Sequence, residues 1–245
     1  MTAVPQIERH RMEPRRRRLT VAAVHRLSPA MLRLVLTGPA LEGFASMSPD
    51  DHIKVFVPDG TGGTAMRDYT PRRYDAAAGA LWLDFALHDA GPATLWALSV
   101  KPGDRAEIAG PRGSQVIAGP IRHWALIGDE TALPAIARRI EELPAGTAVS
   151  SLVGVRSAAD ELAIPTTARH KAIWARREDA TDPVPLMARL SEIEMCPATF
   201  VWIAAEAGVA RSLRDHFLER GHARAWMKAA GYWVAGQADA SDKEL

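Results

Sequence analysis

Along the first half of the chain, apolar and polar residues alternate with the two-residue period of half-buried strands. Leu32, Leu34 and Leu36 interleave with Arg33 and Val35, and Ile53, Val55 and Val57 with His52, Lys54 and Phe56. Leu81, Leu83, Phe85 and Leu87 interleave in the same way with Trp82, Asp84, Ala86 and His88. Strands with one apolar face, separated by Gly and Pro, predict a small antiparallel barrel. The single helix signal in this half runs from Pro92 to Leu98 and opens at Gly91-Pro92, where proline suits the first helical turn.

Near Gly119-Pro120 the pattern changes. Trp124 to Ile127 is a continuous apolar run, as expected of a strand covered on both faces, and it breaks at Gly128-Asp129. Leu133, Ile136, Ala137, Ile140 and Leu143 then form one helical stripe, with Thr131 as a candidate cap and Pro144 as the stop. Further strands are predicted at 149–155, 171–175 and 200–204, and a second stripe at Val209, Leu213 and Phe217. Strand and helix alternating at this spacing predict a parallel sheet with helices packed on it. The expected organisation is a barrel domain over 1–118 and a nucleotide-binding-type α/β domain with a C-terminal tail over 119–245.

Composition narrows the class. The 245 residues are 47% hydrophobic and 24% charged, the usage of an ordinary globular protein. With 30 Lys+Arg against 29 Asp+Glu the net charge is +1, so no overall basic field draws the chain to nucleic acid. The charge is uneven: residues 1–18 hold Arg9, Arg11, Arg15, Arg16, Arg17 and Arg18 against Glu8 and Glu13, which reads as a solvated basic arm or, as a minority reading, a segment for an acidic partner or nucleic acid. Cys196 is the only cysteine, which excludes intramolecular disulfides, Cys-built zinc sites and iron–sulfur clusters. No stretch approaches the ~20 continuous apolar residues of a membrane span, and the Arg-rich start leads into a strand pattern instead of a signal-peptide apolar region. A cytoplasmic location is expected, and the sequence says nothing of oligomeric state.

Two segments carry chemistry. In Arg67-Asp68-Tyr69-Thr70-Pro71-Arg72, an extended backbone points Arg67 and Tyr69 the same way. A phenol ring can lie against an isoalloxazine, Thr70 can bond its polar edge, and a guanidinium can neutralise a pyrophosphate; a surface turn with a solvated Arg is the competing reading. In Asp84-Phe85-Ala86-Leu87-His88-Asp89-Ala90-Gly91-Pro92-Ala93-Thr94-Leu95-Trp96-Ala97, a strand ending at His88 leads through a Gly turn into a helix. The N–H groups of Ala93 and Thr94 would then face an anion at the helix N-terminus.

With Ala109-Gly110-Pro111-Arg112-Gly113-Ser114, these segments resemble the siderophore-interacting proteins, the flavin-dependent ferric-siderophore reductases. The similarity extends to Asp51-His52-x-Lys54, to Asp129-Glu130-Thr131-Ala132-Leu133-Pro134-Ala135 and to Gly231-Tyr232-Trp233. The resemblance implies a ferredoxin-reductase-like layout: FAD in the barrel, NADPH (or NADH) as donor at the second domain, and an Fe(III)-siderophore as acceptor, released as Fe(II). Hydride would pass from the nicotinamide to the flavin and electrons singly to iron, with no general acid, nucleophile or metal ligand set required. The flavin set implied is Arg67, Tyr69, Thr70, Phe85, Leu87, His88, Gly91, Ala93 and Thr94. Delivery of electrons to a protein acceptor and siderophore binding without reduction stand as alternative functions.

For the donor, Gly128-Asp129-Glu130-Thr131 is a strand-to-helix turn at the ligand edge of a parallel sheet, or only a capped helix. Arg156 follows the next strand, where an Arg selects a 2′-phosphate and hence NADPH; an ordinary loop residue is its rival reading. Asp129, Thr131, Arg156 and Glu206 are therefore the candidate donor contacts. At Ala205-Glu206 the family more often has Gly-Glu, and the added methyl would narrow the nicotinamide approach. For an anionic chelate the basic candidates are Lys54, Arg112 and Lys228, each in a stretch matching the family. Tyr232 and Trp233 either cover the flavin or belong to the core.

Overall fold

The computed structural model describes residues 4–88, 91–243 and 245, and the chain forms two compact units, Glu8–Val116 and Met1–Ile7 with Ile117–Leu245. The strands leading through the first unit are β1 (Gln6–Arg11), β2 (Arg16–Ser28), β3 (Met31–Thr37), β4 (Ile53–Pro58), β5 (Thr64–Tyr69), β6 (Pro71–Asp75) and β7 (Ala80–Ala86). They are followed by α1 (Pro92–Ser99), β8 (Arg105–Ala109) and β9 (Gly113–Ala118), which pairs with β1. Seven strands form one sheet in the order β5-β4-β8-β2-β3-β7-β6, every pair antiparallel. Its two edge strands, β5 and β6, are separated in sequence by Thr70 alone. A sheet whose opposite edges are joined by one residue must curl until they meet, which is how this sheet becomes a barrel with Thr70 at its seam.

The expected alternation places the core: Leu32, Leu34, Leu36, Ile53, Val55, Val57, Leu81, Leu83 and Phe85 are all buried inside. The Arg-rich run is a correction to the sequence reading. Arg16 to Arg18 are not a free arm but the opening of β2, between β3 and β8. Arg17 takes an inward position with Leu19 and Val21 and is 6% exposed; its guanidinium donates to the Gly43 carbonyl at 3.4 Å and stands over the Phe44 ring at 5.4 Å. Outward-facing Arg16 grips Glu107 on β8 at 2.6 and 2.9 Å.

The second unit contains β10 (His123–Asp129), α2 (Leu133–Glu142), β11 (Ala148–Val155), β12 (Arg169–Arg176) and α3 (Val184–Arg189). These lead to β13 (Thr199–Glu206), α4 (Ala207–Glu219) and β14 (Met227–Trp233). All five strands are parallel, in the order β12-β11-β10-β13-β14. The order reverses between β10 and β13, the topological switch point at whose carboxyl edge ligands bind in open α/β sheets. Buried Ile127, Leu152, Ile173 and Ile203 pack on one face with Leu186 of α3 and Val209 and Leu213 of α4. On the other face α2 sits against β10 and β11, close enough that a Cβ at Gly128 would meet the Ala204 carbonyl at 2.4 Å and the Ala132 methyl at 2.8 Å. The connection from β11 to β12 carries no α-helix, only a 3-10 turn at Ala158–Asp160.

Candidate functional site

In the barrel unit, β5 delivers Arg67 and Tyr69 to the seam and leaves Thr70 buried between β5 and β6. The Tyr69 ring lies 4.1 Å from that of Phe85, tilted by 37°, and Phe85 in turn meets Trp96 of α1 at 5.8 Å. Phe85 itself is fully buried, so its place differs from the direct contact expected: it braces Tyr69 from beneath. Burial raises the Tyr69 phenol above its ordinary pKa, with nearby Arg67 pulling the other way. Arg67 donates to the Met66 carbonyl at 2.8 Å. Leu87 is half-buried against the barrel core, while His88 is exposed.

Helix α1 packs on β3, β4, β5 and β7 and begins at Gly91 with Pro92 in its first turn and no side-chain cap. Asp89 and Ala90, within the expected phosphate turn, lie outside the described residues. Ala93 and Thr94 are buried in the first turn, and the Thr94 hydroxyl has no hydrogen-bond partner among the described residues. A buried hydroxyl left without a partner costs about 1–3 kcal/mol, and at an uncapped helix start it is a donor set looking for an anion. The aromatic plate of Tyr69, the seam at Thr70 and this helix start thus fit a flavin dinucleotide.

Of the basic candidates in this unit, Lys54 is half-buried with Nζ 3.2 Å from Asp68 Oδ1, its cross-strand neighbour in register. Arg112 is exposed, after a cis Gly110–Pro111 bond. One group the sequence reading singled out only as a motif residue proves to be an anchor: buried Asp51 accepts from Ser46 Oγ at 2.9 Å, Ser48 N at 3.1 Å and Ser114 Oγ at 2.5 Å. It thereby ties the start of β4, which bears Lys54, to the segment that bears Arg112.

In the α/β unit the carboxyl ends of β10 and β13 meet at Asp129, which is fully buried. Its Oδ1 accepts from Thr131 N at 2.9 Å and from Thr131 Oγ1; its Oδ2 accepts from Glu206 N and from Trp233 Nε1, both at 2.9 Å. The α2 N-cap is Ala132 with no side-chain bond, so the turn is organised by Asp129 and the expected Thr131 cap is not formed. Glu206 caps α4, accepting from Gly208 N and Val209 N, and holds the tail through Ala235 N at 3.2 Å. Both carboxylates are thus committed to the protein's own N–H groups. Ala205 is fully buried in the apolar cluster with Val209 and Leu213, so its methyl lies in the core and narrows no ligand path.

Arg156 is exposed just beyond β11, and Lys228 is half-buried on β14 in register with Trp202. Tyr232 and Trp233 are both half-buried; Tyr232 stands edge-on to Trp202 at 6.1 Å. The sequence reading missed Arg177, 1% exposed at its side chain. It donates to Glu130 Oε2 at 2.7 Å and lies 3.8 Å from Asp129 Oδ2, in a space that exists because Gly154 has no side chain: a Cβ there would fall 2.6 Å from Arg177 Nε.

An antiparallel barrel with a flavin-shaped seam, followed by a parallel sheet with a polar switch-point edge, defines a ferredoxin-reductase-like fold. A ferredoxin NADP+ reductase from Neisseria gonorrhoeae, 14% identical, shares it with a TM-score of 0.65 over 89% of this chain and 99% of that one. Residues 20–65 and 60–115 match the siderophore-interacting FAD-binding domain, and residues 121–236 match the siderophore-interacting protein family. An NADPH-dependent ferric-chelate reductase of Escherichia coli is 35% identical, over 93% of this chain and 96% of the relative. A siderophore utilization protein from T. fusca, 34% identical, superposes with a TM-score of 0.86 over 96% of this chain and 98% of that one. The chain belongs to the siderophore-interacting protein family.

Proposed function

We propose that this protein is a ferric-siderophore reductase that takes electrons from NADPH through FAD and releases iron as Fe(II). The observation that carries the reading is the uncapped start of α1, a helix that packs on β5, where the Thr94 hydroxyl is buried with no hydrogen-bond partner among the described residues. The family match and the fold support it independently. When bound, FAD supplies the conversion between two-electron and one-electron transfer that joins a nicotinamide to iron.

The chain's own residues bind and orient. Tyr69, braced by Phe85, offers an apolar plate; Thr70 and the seam backbone offer hydrogen bonds to the ring edge; Gly91, Ala93 and Thr94 receive the pyrophosphate, with Arg67 as its counter-charge, and Leu87 and His88 border it. For the donor, Arg156 receives the 2′-phosphate. Asp129, Thr131 and Glu206 shape the sheet edge for the nicotinamide end, the two carboxylates held by backbone N–H groups and Asp129 also by Trp233 and the Thr131 hydroxyl. Arg112, exposed, is the foremost basic residue for an anionic chelate, Lys54 contributes a charge shared with Asp68, and Lys228, half-buried on β14, is the third. Fe(II) is a poorer partner than Fe(III) for hard oxygen donors, so one electron loosens the chelate.

The experiment is steady-state NADPH oxidation with an Fe(III)-siderophore as acceptor and a ferrous trap. NADPH consumption coupled to trapped Fe(II), without added redox protein, is expected. Turnover only with an added redox protein would assign the electrons to a protein acceptor, and chelate binding without turnover would leave a carrier.

A further inference from the structure

The segment that bears Arg112 is fixed at both ends to one short stretch of chain at the start of β4. At one end Ala109, the last residue of β8, is in register with Lys54. At the other the Ser114 hydroxyl donates to Asp51 Oδ2 at 2.5 Å and accepts from Met47 N at 3.2 Å. Asp51 and Ser114 are each 3% exposed. Between these cross-links run Gly110, Pro111, Arg112 and Gly113, and the span is held along its length. Gly110 N donates to the Arg15 carbonyl at 3.2 Å, and the Arg112 carbonyl accepts from Met12 N at 3.0 Å. Buried Arg17 adds a long contact from Nη1 to the Gly110 carbonyl at 3.5 Å. Gly113 lies so close to β1 that a Cβ there would fall 2.6 Å from the His10 carbonyl. The backbone around Arg112 is thus tied down while its side chain is exposed, and among the described residues no carboxylate pairs with it.

A buried carboxylate is a costly way to join two segments, since well-packed apolar side chains would serve the joint as well. What a charged acceptor adds is direction: it grips a hydroxyl in one geometry. We propose that Asp51, acting through Ser114, is a positioning residue for the ferric chelate. It fixes the placement of Arg112 relative to Lys54, and this placement selects anionic ferric chelates over uncharged ones. The proposal rests on the reading made above that Arg112 and Lys54 meet the chelate. A guanidinium on a loose loop must have that loop ordered when ligand binds, which weakens binding. On the stapled segment the loop is ordered beforehand, and the charge attraction is expressed in affinity.

The test is a titration of the FAD-loaded, oxidised chain with a trianionic ferric tris-catecholate and with an uncharged ferric tris-hydroxamate. Binding is read by quenching of tryptophan fluorescence, and each variant's fold is checked by circular dichroism. Ser114→Ala, and independently Asp51→Asn, are expected to weaken the trianionic chelate about tenfold and to leave the uncharged one and FAD retention unchanged. In steady-state turnover the KM for the trianionic chelate should rise while kcat and the KM for NADPH stay put. In an Arg112→Ala background, Ser114→Ala should have no further effect, because its action runs through that guanidinium. If Arg112→Ala weakens the trianionic chelate while Ser114→Ala and Asp51→Asn do not, the positioning role falls and the chelate reading stands. Equal weakening of both chelates, or a full Ser114→Ala effect without Arg112, would likewise overturn it. If neither Arg112→Ala nor Lys54→Ala weakens the trianionic chelate, the chelate reading falls and the proposal with it.

Discussion

Thr94 is a small residue on which much turns. Its hydroxyl is buried without a partner among the described residues at a helix start with no side-chain cap; replacing it with Val keeps the volume and removes the donor. Thr94→Val is expected to fold normally and to raise the FAD dissociation constant by roughly tenfold or more, read as flavin absorbance retained through gel filtration. Two histidines give the residue scale a pH signature. His123, set between Thr199 Oγ1 at 3.2 Å and Ser150 Oγ at 3.0 Å, and His170, 2.8 Å from Ser151 Oγ, are both held below the ordinary histidine pKa by burial, offset at His123 by Glu194. The unfolded chain therefore binds protons at these positions before the folded chain does. Stability is full above about pH 6.5 and is lost as pH falls through the window below it. Thermal melts should show that decline, and His123→Gln should flatten it; an unchanged slope would remove His123 from the account.

At the scale of elements, Asp129 fastens β10, β13 and β14 together through Glu206 N and Trp233 Nε1 with Arg177 alongside. Asp129→Ala strips a buried cation of an anion and leaves N–H donors without acceptors, so a loss of about 3–5 kcal/mol is expected in chemical denaturation; a loss under about 1 kcal/mol would mean that the donors find other acceptors. The same elements mark what was legible beforehand. Strands whose inward positions are Leu, Ile and Val, such as β3, β4 and β7, announce themselves by period two. β2 hides because an arginine occupies one of its inward positions, its charge answered by carbonyls and the Phe44 ring. β14 hides because its buried residues are Ala229, Ala230 and Gly231, too small to print a pattern. Arg176 and Arg177 are adjacent yet 62% and 1% exposed at their side chains, a difference set by the strand end and by Gly154.

For the whole molecule, the change of pattern near residue 119 foretold a barrel followed by a parallel sheet, because each half repeats its own period many times and errors at single elements average out. The candidate site was legible only in part: Tyr69, Thr70 and Thr94 lie in local motifs, whereas the Asp129–Arg177–Trp233 network joins residues up to 104 positions apart, which no spacing along one chain reveals. Among the described residues no helix is long and apolar enough to cross a membrane. The central claim is that the barrel holds a flavin that hands electrons from NADPH to chelated iron. An anaerobic titration of the purified, FAD-loaded chain tests it most directly: NADPH should bleach the flavin bands, and an Fe(III)-siderophore should restore them with about two Fe(II) trapped per NADPH consumed. A chain that retains no FAD, or whose reduced flavin is left unchanged by the ferric chelate, would contradict the account.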